Sequence, residues 1–180
     1  MKLLLDACVM YPTVMRSVLL GAASKGFFTP LWSERILEEW ARAARKIGPD
    51  GELQARSEVA IVKANWPQAT VVNFEGIEHR LWLPDPADTH VLAAAVKASA
   101  DGIVTVNAKD FPKNILAEEG LFRIDPDALL TRFYADNDKE MTEVAGAVRL
   151  EAIRLSGEDW DMRALMKKAR LPRLGKALTR

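Results

Sequence analysis

Two aspartates of this 180-residue chain follow short apolar runs and could help to bind a divalent cation. Asp6 lies at the end of the run Lys2–Ala7, and Asp110 comes shortly after the run Gly102–Val106. Such runs are typical of strands that are buried on both faces of a parallel sheet. Ligands of these sheets bind beyond the carboxyl ends of the strands, so neighbouring strands would bring both aspartates to one edge. Each aspartate alone is equally well explained as a turn residue.

Two adjacent glutamates on the helix predicted after Ser33 have different expected roles. Glu38 shares a face with Arg42 and other charged residues, which indicates a solvated row of ion pairs. Glu39 lies at the margin of the apolar stripe, where a carboxylate is costly unless it is paired or binds a cation. An ion pair between Glu39 and either Arg35 or Arg42 would explain this position as well as a metal would.

The segment Asp85-Pro86-Ala87-Asp88 begins another predicted helix. Asp85 suits the N-cap, Pro86 suits the first helical position, and Asp88 lies in the first turn, where the helix dipole favours a negative charge. A structural role is therefore the better explanation for Asp85. Asp88 can fill a structural role and still face a metal ion.

Taken together, the carboxylates predict a site for Mg²⁺ or Mn²⁺, because hard cations take oxygen ligands. Clustered like charges cannot all stay ionised without a cation between them. The predicted catalytic and metal-binding residues are Asp6, Glu39, Asp88 and Asp110.

Other catalytic chemistries find less support in the sequence. The only histidines, His79 and His90, have no metal-ligand spacing, although His90 could support the Asp88 helix as an outer group. Cys8 lacks the partners of a cysteine nucleophile and is better explained as a small buried residue. A phosphatase of the haloacid dehalogenase type would need a second aspartate two residues after Asp6, where Cys8 stands.

The composition limits the protein class but does not select a function. Lys and Arg number 25, as do Asp and Glu, so the net charge does not predict a nucleic-acid partner. The single cysteine excludes a disulfide framework and fits a reducing compartment. No apolar run approaches the roughly 20 residues of a membrane span, and the N-terminal run is too short for a signal peptide. These features predict a cytoplasmic protein without a membrane partner.

Strands that alternate with helices predict an α/β fold with a parallel sheet covered on both faces. The alternation ends near Asp136, so we expect an α/β domain over residues 1–135 and a C-terminal helical extension over residues 136–180. The segment Met162–Arg180 contains seven basic residues and no acidic residue. Its apolar residues are interleaved with the basic ones, and Pro172 is expected to divide it into two short helices.

An ordered set of motifs resembles the PIN-domain family, and most of all the bacterial toxin nucleases of the VapC type. The likeness covers roughly residues 1–134, and no single motif in it is specific. The motifs are Leu4-Leu5-Asp6, Arg16-Ser17-Val18-Leu19, Ser33-Glu34-Arg35-Ile36-Leu37-Glu38-Glu39, Asp85-Pro86-Ala87-Asp88-Thr89-His90-Val91-Leu92-Ala93-Ala94-Ala95 and Ile103-Val104-Thr105-Val106-Asn107-Ala108-Lys109-Asp110-Phe111.

The resemblance implies a three-layer α/β/α sandwich and metal-dependent cleavage of RNA, usually controlled by a cognate antitoxin. It makes Asp6, Glu39, Asp88 and Asp110 the acidic quartet, with Thr105 and Asn107 as supporting polar residues. Many family members carry an acid where Asn107 stands, so this chain would offer one carboxylate fewer at that edge. Relatives often form dimers, so a homodimer is one expected assembly.

Substrate binding would rest on basic residues. Arg16 could contact a phosphate, although a surface arginine paired with a carboxylate is an equally good explanation. Lys167, Lys168 and Arg170 of the tail could attract RNA phosphates or dock an acidic segment of an antitoxin, or they could simply solvate a helix end. The alternative to an active nuclease is an inactive module of the same fold that binds RNA or a protein.

Overall fold

The computed structural model of the protein describes all 180 residues. The strands are β1 (Lys2–Leu5), β2 (Thr29–Ser33), β3 (Thr70–Val71), β4 (Gly102–Val104) and β5 (Phe122–Ile124). The helices are α1 (Ala7–Met10), α2 (Thr13–Ser24), α3 (Glu34–Ala43), α4 (Gly51–Asn65), α5 (Glu75–Glu78), α6 (Thr89–Lys97), α7 (Lys113–Glu118), α8 (Pro126–Asp136), α9 (Asp138–Ser156), α10 (Met162–Lys168) and α11 (Pro172–Ala177). Short 3-10 helices cover Ala44–Ile47 and Pro86–Asp88.

The strands form one five-stranded parallel sheet in the order β3-β2-β1-β4-β5. The central strand β1 pairs with β2 through Leu4 and Leu31 and with β4 through Leu4 and Ile103. Leu4 and its neighbours Leu3 and Leu5 are completely buried, as their apolar run predicts. Helices flank the sheet, so the predicted α/β/α sandwich with a C-terminal helical part is confirmed. Because β1 and β4 are neighbours, their carboxyl ends bring Asp6 and the loop before Asp110 to one edge.

Local sequence signals set the helix ends on either side of this edge. The hydroxyl of Ser33 accepts a hydrogen bond from the backbone N–H of Ile36 at 3.2 Å and thereby caps α3, as predicted. The 3-10 helix that follows α3 ends just before Gly48, where the positive φ of +147° favours glycine. The Asp85 side chain accepts a hydrogen bond from the N–H of Ala87 at 2.9 Å, which confirms its predicted capping role.

Two predicted strands are shorter than the sequence suggests. The strand expected over residues 70–74 ends at Val71, because Asn73 adopts a left-handed φ of +59°. The strand expected over residues 102–106 ends at Val104. There the backbone N–H of Asn107 donates to the Thr105 hydroxyl at 3.0 Å, so the chain turns instead of continuing the ladder.

The chain forms two compact units that do not follow a single cut in the sequence. The first unit comprises residues 1–11 and 29–123, and the second comprises residues 12–28 and 124–180. The division predicted between residues 135 and 136 stays a prediction. None of the helices combines the length and the apolar character that crossing a bilayer would require.

The second unit consists mainly of α2 and the C-terminal helices. Gly21 of α2 allows close packing against α9, because a Cβ at this position would lie 2.5 Å from a methyl carbon of Val144. The buried carboxylate of Asp127 accepts hydrogen bonds from the N–H groups of Arg173 and Leu174, both at 2.9 Å. This contact caps α11, which begins at Pro172, and the predicted division of the tail into two short helices is confirmed.

Candidate active site

Three aspartates of the first unit converge at the carboxyl edge of the sheet. One carboxylate oxygen from each of Asp85, Asp88 and Asp110 lies within 4.8 Å of the others. Asp85 is the N-cap of the short 3-10 helix before α6 and Asp88 is its last residue, whereas Asp110 lies in the loop after β4. The structure therefore brings Asp88 and Asp110 together, as the sequence predicts.

Asp85 joins this cluster, although its sequence position was fully explained by helix capping. It does cap Ala87, but that bond uses Oδ1 alone. The remaining oxygen can still face a cation. The spacing of three residues between Asp85 and Asp88 was the signal that could have revealed this, because residues three apart lie on one face of a helical turn.

Asp88 lies among four other carboxylates that act on it electrostatically. Burial, followed by the charges of Asp6, Asp85, Asp110 and Glu39, raises the pKa of Asp88 from 3.8 to about 6. A proton or a divalent cation would relieve this accumulation of negative charge. Oxygen ligands in such a cluster fit Mg²⁺ or Mn²⁺, which are hard cations.

A chain of hydrogen bonds connects Asp6 to Asp110. The hydroxyl of Thr105 donates to Oδ2 of the buried Asp6 at 2.7 Å. The backbone of Asn107 donates to the same hydroxyl at 3.0 Å, and the Asn107 side-chain amide donates to Oδ2 of Asp110. Thr105 and Asn107 thus form hydrogen bonds to two of the predicted ligands, and their supporting role in catalysis stays a prediction.

Cys8 lies beside Asp6 and is not set up as a nucleophile. Its thiol donates to Oδ2 of Asp6 at 3.0 Å. Burial and, next, the charge of Asp6 raise the pKa of Cys8 to about 12. The thiolate is therefore disfavoured at neutral pH, so the residue acts here as a small hydrogen-bonding neighbour of Asp6.

Glu39 of α3 lies close to a buried histidine of α6. Nε2 of the completely buried His90 lies 2.8 Å from Oε1 of Glu39, without the alignment of a full hydrogen bond. Nδ1 of His90 has no hydrogen-bond partner. Arg35 is a more distant neighbour, with Nε 3.8 Å from the same carboxylate oxygen. Glu39 lies outside the group of three aspartates, but its charge acts on Asp88.

The predicted substrate-binding residues belong to the second unit. Arg16 is 5% exposed, which does not fit the surface arginine that was its alternative explanation. Lys167, Lys168 and Arg170 are exposed, and Nζ of Lys168 lies 4.4 Å from the ring centre of Trp160. The contacts of these residues with RNA stay predictions.

A comparison with known protein families shows which family the chain belongs to. It matches the PIN domain family over residues 2–109, which is more than half of the chain, and it therefore belongs to this family. The match includes Asp6, Glu39, Asp85 and Asp88 and ends one residue before Asp110. PIN domains are generally nucleases that use divalent metal ions. Neither a curated protein nor a solved structure matches the chain.

Proposed function

We propose that the protein is a metal-dependent endoribonuclease that hydrolyses RNA phosphodiester bonds. The observation that carries this proposal is the environment of Asp88. On a PIN fold, burial and the charges of four neighbouring carboxylates raise the pKa of Asp88 to about 6 at the edge of the sheet where ligands bind. Repulsion within such a group lowers the stability of the fold, so the group is a candidate functional site. Binding of a divalent cation is the function that fits its oxygen ligands.

Asp85, Asp88 and Asp110 would hold Mg²⁺ or Mn²⁺, with Asp6 and Glu39 completing the ligand set. When bound, the cation supplies Lewis-acid chemistry that activates water for attack on phosphorus and stabilises charge on the departing oxygen. Thr105 and Asn107 hold Asp6 and Asp110 by hydrogen bonds, and the buried His90 lies 2.8 Å from Glu39. By family resemblance, we expect products with 5′-phosphate and 3′-hydroxyl ends.

RNA binding needs positively charged side chains, because an acidic site alone repels phosphates. We propose Arg16, Lys167, Lys168 and Arg170 for this role. Replacing the three tail residues with Gln should weaken RNA binding and reduce its salt slope by about 2, since each phosphate contact in a single strand contributes about 0.7. A drop in antitoxin binding without a change in the salt slope would make the tail a protein-docking surface instead.

Cleavage assays can test the proposed activity directly. Purified protein should cleave a mixed RNA pool when Mg²⁺ or Mn²⁺ is added and should stop when a chelator is added. The Asp6→Asn variant should fold normally and should not cleave. Binding of RNA without any cleavage by the wild-type protein would favour the alternative, an inactive PIN module. Full activity of Asp6→Asn would refute the site assignment.

We further propose that the protein is the toxin of a type II toxin-antitoxin system and acts in the cytoplasm. The support is the family membership together with the resemblance to VapC-type toxins. Expression of the wild-type protein should slow growth, and Asp6→Asn should not. A co-encoded antitoxin should restore growth by binding near the acidic site. Harmless expression of a verified active nuclease would argue for a different cellular role. A homodimer, frequent among relatives, would show as twice the monomer mass in light scattering.

A further inference from the structure

A cavity of the first unit borders the acidic site. It has a volume of about 320 Å³ and is lined by Glu39 of the site and by Cys8, the neighbour of Asp6. Its other lining residues include Tyr11, Trp40 and Lys46. The volume is at the lower end of the roughly 300–1,000 Å³ of small-molecule sites, so it suits one nucleoside better than a longer segment.

The walls of this cavity combine aromatic and small apolar residues. Tyr11 is half-buried, as expected for an aromatic residue at the wall of an open cavity, and Trp40 is 2% exposed and closes the inner side. Ala7 of α1 and Ala43 of α3 complete the apolar surface. Bases of single-stranded nucleic acids bind to such surfaces by stacking on aromatic side chains.

Lys46 at this cavity differs from every other basic residue in the surrounding helical region. Between Glu34 and Trp66, the other basic side chains each form an ion pair with a glutamate: Arg35, Arg42, Arg45, Arg56 and Lys63. Lys46 is exposed and forms no ion pair. An uncompensated ammonium group beside an aromatic cavity and an acidic site is complementary to the phosphate of a nucleotide.

We propose that this cavity is the subsite for one unpaired nucleotide of the RNA next to the cleaved bond. The base would stack against Tyr11, and Lys46 would pair with the phosphate of that nucleotide. Glu39 belongs to both the cavity and the acidic site, so a base held here places the adjoining backbone at the carboxylates. The proposal deepens the nuclease function and rests on it. It also predicts that single-stranded RNA is preferred over a duplex, since a paired base cannot enter.

Binding in a chelating buffer tests the subsite separately from cleavage. The probe is a fluorescent single-stranded oligouridine, titrated at several salt concentrations against wild type, Lys46→Gln, Tyr11→Ala and the control Lys97→Gln. Lys97 is an exposed lysine in the last turn of α6, about 13 Å along the helix from the acidic edge. Lys46→Gln should reduce the salt slope by about 0.7, the contribution of one phosphate contact in a single strand. Tyr11→Ala should weaken binding about 5- to 150-fold, the range for loss of one stacked base. Lys97→Gln should bind like wild type.

Photo-crosslinking gives a second measurement that needs no variant. Irradiation of the wild-type complex with the same RNA carrying 4-thiouridine should label the peptide that contains Tyr11. If Tyr11→Ala does not fold, this crosslink still tests whether a base binds beside Tyr11. Wild-type affinity and salt slope for Lys46→Gln, or labels confined to other peptides, would overturn the subsite and leave the cavity to a protein partner. Normal binding through Lys46 without metal-dependent cleavage by wild type would refute only the nuclease proposal.

Discussion

The first unit contains two groups of acidic residues that differ in whether basic side chains pair with them. On the surface of α3 and α4, Glu38 accepts hydrogen bonds from Arg56 at 2.8 Å and from Arg42 at 2.7 Å, and these contacts lower the pKa of Glu38 to about 2. At the carboxyl edge of the sheet, burial and neighbouring acids raise the pKa of Asp88 to about 6. No arginine or lysine of this unit forms an ion pair with Asp6, Asp85, Asp88 or Asp110.

This difference shows that compensation of charge is a local property of the fold. The whole chain has equal numbers of acidic and basic residues, so its net charge does not reveal an uncompensated site. Arginines of the first unit pair with the surface glutamates, and none of them pairs with the four aspartates of the acidic edge. The two groups therefore predict different consequences when an acidic side chain loses its charge.

The largest effect is expected from Asp88→Asn. This change keeps the side-chain volume but removes a charged ligand from the centre of the acidic group. RNA cleavage should fall at least about 100-fold, the upper end of what loss of an outer partner of a metal ligand costs. The matched control is Glu52→Gln, because Glu52 is an acid bonded by Arg45 and Arg56 away from the site. Comparable losses of RNA cleavage in the two variants would show that the acidic edge matters no more for activity than the ion-paired glutamates.

A smaller but sharper contrast is expected between adjacent residues of α3. Glu39→Gln should reduce cleavage by about tenfold or more, as for other groups that support a metal site. Glu38→Gln should leave cleavage unchanged and lower the melting temperature slightly, because it breaks contacts with Arg42 and Arg56. Turnover rates and melting curves of both variants check this. Equal loss of cleavage would show that the whole acidic face of α3 is needed.

How far the sequence predicts this contrast depends on distance along the chain. Helical phase correctly places Glu38 in an ion-pair row with Arg42, because both lie on one helix. The contact of Glu38 with Arg56 joins two helices and has no local signature. In the same way, Ser33 is recognisable as a cap from its neighbours, whereas the burial of His90 against Glu39 depends on packing between helices.

The site shows the same limit. The alternation of apolar runs predicts that Asp6 and Asp110 meet at one edge if β1 and β4 are neighbours, and the pairing of these strands confirms it. From the sequence, Asp85 was not placed in the group with Asp88 and Asp110, because helix capping already explained this residue. Strand ends were also predicted too long, since the left-handed turn at Asn73 is not visible in β-branched composition.

Asp85→Asn is expected to have an intermediate effect on metal binding. Asparagine also caps helices, so the bond to Ala87 and the melting temperature should be retained. Affinity for Mn²⁺ should fall, but less than in Asp88→Asn, because Asp85 is exposed and already uses one oxygen for the cap. Calorimetric titration of both variants checks the order. A loss in Asp85→Asn that equals the loss in Asp88→Asn would make capping a minor role.

The smallest effect concerns the pH dependence of stability without metal. The pKa of Asp88 is raised from 3.8 to about 6 in the fold, so the folded state binds a proton that the unfolded state releases. The stabilisation from this proton is present below about pH 4 and is lost as the pH rises through about 6. The melting temperature of Asp88→Asn relative to wild type should therefore be higher at pH 7 than at pH 4. A difference that does not change with pH would contradict the raised pKa.

We expect the acidic edge to bind a divalent cation, which would balance the negative charge of its aspartates. Titration of Mn²⁺ into the chelator-treated protein, followed by calorimetry at neutral pH, tests this claim without any RNA. We expect saturable binding to wild type, the same binding to Glu52→Gln, and loss of binding in the Asp88→Asn, Asp110→Asn double variant. Absence of Mn²⁺ and Mg²⁺ binding to the wild type, or equal binding to the double variant, would contradict it.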